Sequence, residues 1–408
     1  MVFGAALVIV GIVCWIAWNE QDRPLREVEA ALKAKEKSRA MQLIGRYLSD
    51  HPYDARGLSL KGRVLIESGR LVDGIQLFRA NGASDVADMR VWAKAHLLRH
   101  EWSEAVPILE RILQLEPNEA DSLHELTACR SYLGDYRRAL ESARKMATLR
   151  GQEHRALLQI GTLHGELSNT RSAIEAWDHV LLFAPNGDGL QVPPEEFLSE
   201  FARVLLEDGQ AGRAKRLIDQ SLAKRETADA RLLLGNVLIQ TGDDVGAVAA
   251  WSRSAELAPQ RREPREALAN AELSAGHVAA ALAWIKPVAS SDQLTSSSAY
   301  LMQRICSATG DRDGSRKWQS RAATLRDKER LAATIDRALV ESPESFWSRV
   351  IRAYRFAESG NWSQADAQLG PLTQEAPQEQ FVRDLATAAR SRNRSALPPL
   401  ERLPITQH

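Results

Sequence analysis

The 408-residue sequence predicts an all-α solenoid of stacked helix pairs behind one N-terminal membrane helix. Three observations carry that expectation. Residues Val2 to Trp18 contain no charge. Beyond them, small residues recur at a spacing of 34: Ala105, Ala139 and Ala173, then Gly242, Gly276 and Gly310. Glycines and prolines punctuate the repeat at matching places, which is how a stacked array of supersecondary units looks in sequence.

The composition agrees. With 44% hydrophobic and 26% charged residues the chain is foldable and neither disordered nor polytopic. Lys+Arg 53 against Asp+Glu 53 cancel, which argues against a protein whose main work is gripping nucleic acid. Cys14, Cys129 and Cys306 lie far apart without a C-x-x-C pair, so neither a zinc ribbon nor a disulfide framework follows.

Residues 1–19 read as the anchor. Seventeen uncharged residues span roughly 26 Å as a helix, close to the ~30 Å hydrocarbon layer. Trp15 and Trp18 sit beside Asn19, Glu20 and Asp22, where amphipathic rings meet headgroups. A cleaved signal peptide would open with Lys or Arg and end in small residues, whereas Met1 leads straight into apolar chain and Trp15-Ile16-Ala17 is bulky. Val13 before Cys14 departs from a lipoprotein signal. Arg23, Arg26, Lys33, Lys35 and Lys37 follow the helix, so the basic-residue rule places the body on the cytoplasmic side of a bacterial inner membrane.

Residues 20–390 form the array. Apolar positions at i, i+3, i+4 and i+7 mark two helices per unit, as in Leu157, Ile160, Gly161, Leu163 and then Ala173, Ile174, Trp177, Val180. Helix-packing positions are held by Ala40, Gly62, Ala105, Ala139, Gly161, Ala173, Ala214, Gly235, Ala247, Ala281 and Ala365, where a larger side chain would force the helices apart. Gly134, Gly209, Gly242, Gly276, Gly310 and Gly360 end the first helix, and Asp135 or Asp243 beside them can cap the second. Pro117, Pro185, Pro259 and Pro377 stop the second helix.

These units resemble the tetratricopeptide repeat. The pattern W-x2-L-G-x2-Y, A-x3-F, P is matched by Leu157, Ile160, Gly161, His164, Ala173, Trp177 and Pro185, and again by Arg231, Leu234, Gly235, Leu238, Ala247, Trp251 and Pro259. Ser315 replaces the usual Ala, Thr127 the usual Gly, and most units lack the first aromatic. The resemblance covers roughly ten units between about residues 21 and 377. It implies a right-handed superhelix whose inner face, made by the first helix of each unit, binds an extended peptide or a partner helix.

Two surplus segments break the period: a loop at 186–194 and an extra helix near 324–341. Glu379 to Arg390 resembles the solvating helix that closes such arrays. The tail 391–408, with Pro398, Pro399 and Pro404, is expected to be disordered.

Catalytic chemistry is hard to find. His96 and His100 stand four apart without the Glu of a zinc protease motif, and Asn186-Gly-Asp-Gly189 runs into Pro193-Pro194 instead of a calcium loop. No phosphate loop, nucleophile elbow or dinucleotide fingerprint occurs. The expectation is a scaffold without catalytic, cofactor-binding or metal-binding residues, without nucleic acid or a small-molecule substrate, that binds a protein or peptide. Candidate groove residues are Arg90, Lys94, His124, Arg155, Arg203, Asn236 and Asn270; the two asparagines recur in one phase and could hold a peptide backbone. Arg90 and Lys94 resemble half of a carboxylate-holding clamp, but Ser59, Arg63, Leu25 and Glu29 fill the companion phases. The alternative is an accessory subunit of an envelope-processing enzyme, similar to anchored repeat proteins of lipopolysaccharide assembly; those carry a C-terminal metal-binding Cys domain, which has no counterpart after Cys306.

Overall fold

The structure, a computed structural model, describes residues 23–404 except 293 and 343. The anchor reading of residues 1–19 lies outside the described residues; among those described, no helix is long and apolar enough to cross a membrane. The chain divides into two compact units, one ending at Phe183 and one beginning at Ala184.

Among the described residues the regular structure is helical throughout. In the first unit, α1 (Arg23–Lys33) pairs with α2 (Lys37–Asp50), α3 (Ala55–Glu67) with α4 (Leu71–Asn81), and α5 (Val86–Leu98) with α6 (Trp102–Leu115). There α7 (Ala120–Tyr132) pairs with α8 (Tyr136–Ala147) and α9 (Glu153–Glu166) with α10 (Thr170–Phe183). In the second unit, α11 (Pro194–Glu207) pairs with α12 (Ala211–Lys224), α13 (Ala228–Gln240) with α14 (Asp244–Leu257), and α15 (Glu263–Ser274) with α16 (Val278–Ala289). Next come α17 (Ser296–Ala308) with α18 (Arg312–Glu341), then α19 (Phe346–Glu358) with α20 (Trp362–Glu375), and α21 (Gln380–Arg390) follows alone. We call the first helix of each pair A and the second B. The architecture is a tetratricopeptide-like array of helix hairpins.

The hairpin turn is set locally. A residue with positive φ ends each A helix: Gly69, Gly134, Gly209, Gly242, Gly276, Gly310 and Gly360, with Lys35, His100 and Ser168 in the same place elsewhere. The left-handed residue lets the chain reverse within two or three residues. Asp135, Asp243 and Asp311 then cap B helices by accepting from the N–H of Arg138, Gly246 and Gly314.

Close approach of A and B needs small side chains at the crossing. Ala40, Ala105, Ala139, Ala173, Ala214, Ala247, Ala281 and Ala365 are all fully buried. Gly62 lies against the Phe78 ring, Gly161 against Trp177 and Gly235 against Trp251, so a Cβ added at Gly161 or Gly235 would fall 2.2 or 2.3 Å from the indole nitrogen. Large side chains from B fill the space that the missing Cβ leaves.

Two segments differ from expectation. No separate extra helix forms near 324–341; α18 runs unbroken from Arg312 to Glu341, and Ile335 in its C-terminal half joins the core around α19 and α21. After Gly314 that stretch holds no Gly or Pro before Pro343, so nothing in it stops a helix. The described part of the tail, residues 391–404, is also structured: Arg394–Ala396 and Leu400–Arg402 form 3-10 turns and Leu403 is 1% exposed. Leu397, Leu400 and Leu403, three residues apart, supply apolar surface that the proline content alone hides.

Candidate interaction faces on the A helices

The first unit carries a polar cluster on α5, α7 and α9. Arg155 Nη1 donates to Asp121 Oδ1 at 2.7 Å, bridging successive A helices, and Gln159 Nε2 donates to the His124 carbonyl at 3.1 Å. His124 Nδ1, Arg155 Nε and Gln159 Oε1 are buried without a hydrogen-bond partner among the described residues. Burial, reinforced by the Arg155 guanidinium, pushes the His124 imidazole down to about 4, so it is neutral at physiological pH. Burial, with Asp121 and Glu119 nearby, raises the Glu125 carboxyl above the usual range against the pull of Lys94 and Arg155. Lys94 is exposed beside that carboxyl. Arg90 is engaged elsewhere, in ion pairs with Glu116 and, at 3.7 Å, with Glu119.

In the second unit the A helices present Arg203, Asn236, Asn270 and Arg304 along α11, α13, α15 and α17. A cavity of about 450 Å³ opens between α11 and α13 and is lined by Arg203, Asn236, Glu196, Glu200, Leu232 and Leu233 among others. The structure thus brings Arg203 and Asn236 together; Asn270 stands one repeat further on. Arg203 is clamped by Glu200, with Nε 3.0 Å from Oε2, and by Glu207.

Both asparagines have a fixed amide orientation. Trp251 Nε1 donates to Asn236 Oδ1 at 3.0 Å, and Arg304 Nη1 donates to Asn270 Oδ1 at 2.7 Å. Indole and guanidinium are donors only, so each carboxamide must accept with its oxygen and keep its Nδ2 as the donor. Periodicity alone would have found Arg304, which follows Asn270 by 34 residues, and Asp121, which precedes Arg155 by the same interval. The Trp251 contact has no such signal, because it depends on how the indole packs across Gly235.

The other chemistry-bearing residues do not converge. His96 is buried with Nδ1 2.7 Å from Glu101 Oε2, while His100 occupies a left-handed turn against Trp102, which stacks on exposed Tyr132. Asp188, in the Asn186–Gly189 turn, pairs with Lys224 at 2.7 Å. Burial raises the Cys129 thiol to about 11 and also raises that of Cys306, so neither is thiolate at neutral pH. No group of three or more His, Cys, Asp and Glu among the described residues is arranged to hold a metal.

No family model and no curated protein matches the sequence. Solved structures do. The chain is similar to a tetratricopeptide repeat protein from Parabacteroides merdae, at 14% identity and a TM-score of 0.42 over 61% of this chain and 98% of that one. It is similar to PilF of Pseudomonas aeruginosa at 14% identity and a TM-score of 0.42, over 57% of this chain and 96% of that one. It is also similar to PilW, a type IV pilus biogenesis factor, at 18% identity and a TM-score of 0.43, over 55% and 94%. The likeness is one of fold.

Proposed function

We propose that this chain is a non-enzymatic scaffold, held at a membrane by residues 2–18, that binds an extended segment of a partner protein along its A-helix faces. One observation carries the reading: Trp251 and Arg304 occupy the carboxamide oxygens of Asn236 and Asn270, leaving two donors in one phase of the repeat. An extended backbone offers carbonyl acceptors at regular intervals, so paired donors suit a main chain better than any one side chain. The cavity beside Asn236, apolar at Leu232 and Leu233 and charged at Arg203, Glu196 and Glu200, gives a neighbouring side chain a place to enter. In the first unit, exposed Lys94 beside the Glu125 carboxyl gives that A-helix face a cationic contact of its own.

A photo-crosslinking residue at Leu233 or Ala267, each three residues before Asn236 or Asn270 on the same helix, introduced in cells and resolved by mass spectrometry, tests the reading. The expected outcome is one recurrent partner peptide crosslinked from both positions and absent when the probe replaces exposed Asp366 on α20. Equal labelling from all three positions would reject it. Protease protection of residues 20–408 in intact and permeabilised cells tests the membrane side. Shielding until the inner membrane opens supports the cytoplasmic placement proposed here from the basic residues after the anchor; digestion once the outer barrier alone is breached rejects it.

A further inference from the structure

A second cavity of the C-terminal unit lies apart from the A-helix face described on α11, α13, α15 and α17. It measures about 430 Å³ and lies between the C-terminal half of α18, α19 and the chain's own tail. Leu331 and Ile335 of α18 with Ile351 and Tyr354 of α19 line it on one side; Pro399 and Leu400 of the tail line the other. The tail, whose regular structure is two three-residue 3-10 turns, therefore closes one side of a cleft formed by two helices.

The way the tail is held resembles a ligand more than a structural element. Leu397 and Leu400 pack on the terminal core and Leu403 is inside it. Backbone N–H groups of Ala396, Leu397, Arg402 and Leu403 donate to carbonyls of Asn393, Arg394, Pro399 and Leu400, all within the tail itself. Pro398 and Pro399 have no N–H to give. Leu397 (φ −61°, ψ 132°), Pro399 (−66°, 135°) and Leu403 (−67°, 128°) have near-polyproline dihedrals. Leu400–Arg402 between them forms a 3-10 turn, and polyproline and 3-10 segments both repeat every three residues, the spacing of the three leucines. Side-chain anchors at a regular spacing are how a short linear segment enters a groove. The end of the array is meanwhile covered by α21, which buries Phe381, Val382, Leu385 and Ala386.

We infer that the α18/α19 cleft is a second peptide-docking site and that residues 397–403 are its resident, displaceable occupant. The partner it fits is a short, proline-containing linear segment with leucines three residues apart, the chemistry that the tail itself presents. This site shares no residue with the A-helix face proposed above, so the two readings stand or fall separately. Because the tail is tethered, its effective concentration is on the order of millimolar. A competing segment displaces it only by binding well below that concentration or by being presented in several copies.

The test uses the full-length chain with Leu400→Asp and Leu403→Asp, and a fluorescent synthetic peptide of residues 394–408 followed by anisotropy. The expected result is saturable binding to the variant and an apparent affinity for the wild-type chain at least tenfold weaker. A peptide carrying the same two Asp substitutions is expected to bind the variant roughly tenfold or more weakly than the native peptide. The milder Leu400→Ala chain is expected to fall between wild type and the double variant. Hydrogen exchange of α19 and α20 is measured in every chain. Equal, unsaturable binding by wild type and variant with α19 and α20 still protected overturns the inference. Loss of that protection in the variant overturns it too, since the tail would then be part of the core.

Discussion

Replacing Gly161 by Ala places the new Cβ 2.2 Å from Trp177 Nε1, 2.4 Å from Cδ1 and 2.7 Å from Cε2. Carbon contacts are comfortable near 3.5–4.0 Å, so the indole must retreat by roughly 1–2 Å. It has little room: Trp177 is 1% exposed, and its Nε1 donates to the Leu158 carbonyl at 3.2 Å. Overpacking of this kind costs about 1–3 kcal/mol, and the strained indole hydrogen bond adds about 1 kcal/mol. Ala returns up to about 1 kcal/mol in helix propensity. The net expectation is a loss of about 1–3 kcal/mol, felt mainly in α9 and α10 because each repeat contacts only its neighbours. The assay is hydrogen exchange resolved by peptide, with Gly45→Ala as control, since nothing lies within 4 Å of that added Cβ. The control is expected to gain about 0.5–1 kcal/mol. Adding Trp177→Phe to Gly161→Ala should recover about 1 kcal/mol relative to the sum of the single changes. Strictly additive single and double variants would show that the glycine is not there to admit the indole.

Four further outcomes follow from the geometry. Asp88 is buried beside Ser59, whose hydroxyl donates to it at 2.5 Å; burial, aided by Asp85 and Glu29 and opposed by that hydrogen bond and by Arg63, raises its carboxyl to about 6. A raised folded value means the stabilising contribution is complete below pH 4 and is lost as pH rises through 6, about 2–3 kcal/mol in all; denaturant midpoints between pH 4 and 7 should fall in the wild type and stay flatter in Asp88→Asn. Replacing Arg155 by Leu removes a cation that opposes protonation of His124, so NMR titration should find that imidazole above its present value of about 4. With the probe at Leu233, in the cavity beside Asn236, Trp251→Phe frees the Asn236 oxygen and should weaken partner crosslinking severalfold more than crosslinking from a probe at Ala267, since Arg304 still sets the Asn270 orientation. Cys129 should resist alkylation at pH 8 until the chain unfolds, because it is both buried and raised.

The helix-pair architecture was legible because its signals are local and repeated. A 34-residue spacing of Ala, Gly and Pro speaks directly about turns and crossings, and His100, 34 residues before Gly134, stands in the phase of the turn it adopts. The surplus in α18 was visible as extra length, but whether it made a new helix depended on the absence of any breaker after Gly314. The order of the tail is hidden in the sequence because proline content outweighs three evenly spaced leucines, and the core they join is built in part by α18 and α19, remote in sequence. On the candidate faces, periodicity placed Arg203, Asn236 and Asn270 on A helices. The i,i+3 and i,i+4 spacing of Glu200 and Glu207 about Arg203 and the 34-residue step from Asn270 to Arg304 are sequence signals of those engagements, whereas Trp251 on Asn236 follows only from side-chain packing between helices.

The left-handed turn residue is not distributed evenly. In the second unit every such turn is Gly, whereas in the first, Lys35, His100 and Ser168 adopt φ of 59°, 57° and 55°. A side chain held there costs on the order of 1 kcal/mol. Three of these sit in one half of a chain whose stability is a sum over units and their interfaces. The array is therefore built with a gradient: its N-terminal half carries stored strain at three hinges and its C-terminal half none at the equivalent places. Heating or pulling should open the chain from that strained half, and single Gly substitutions at those hinges would act as independent dials on where unravelling begins.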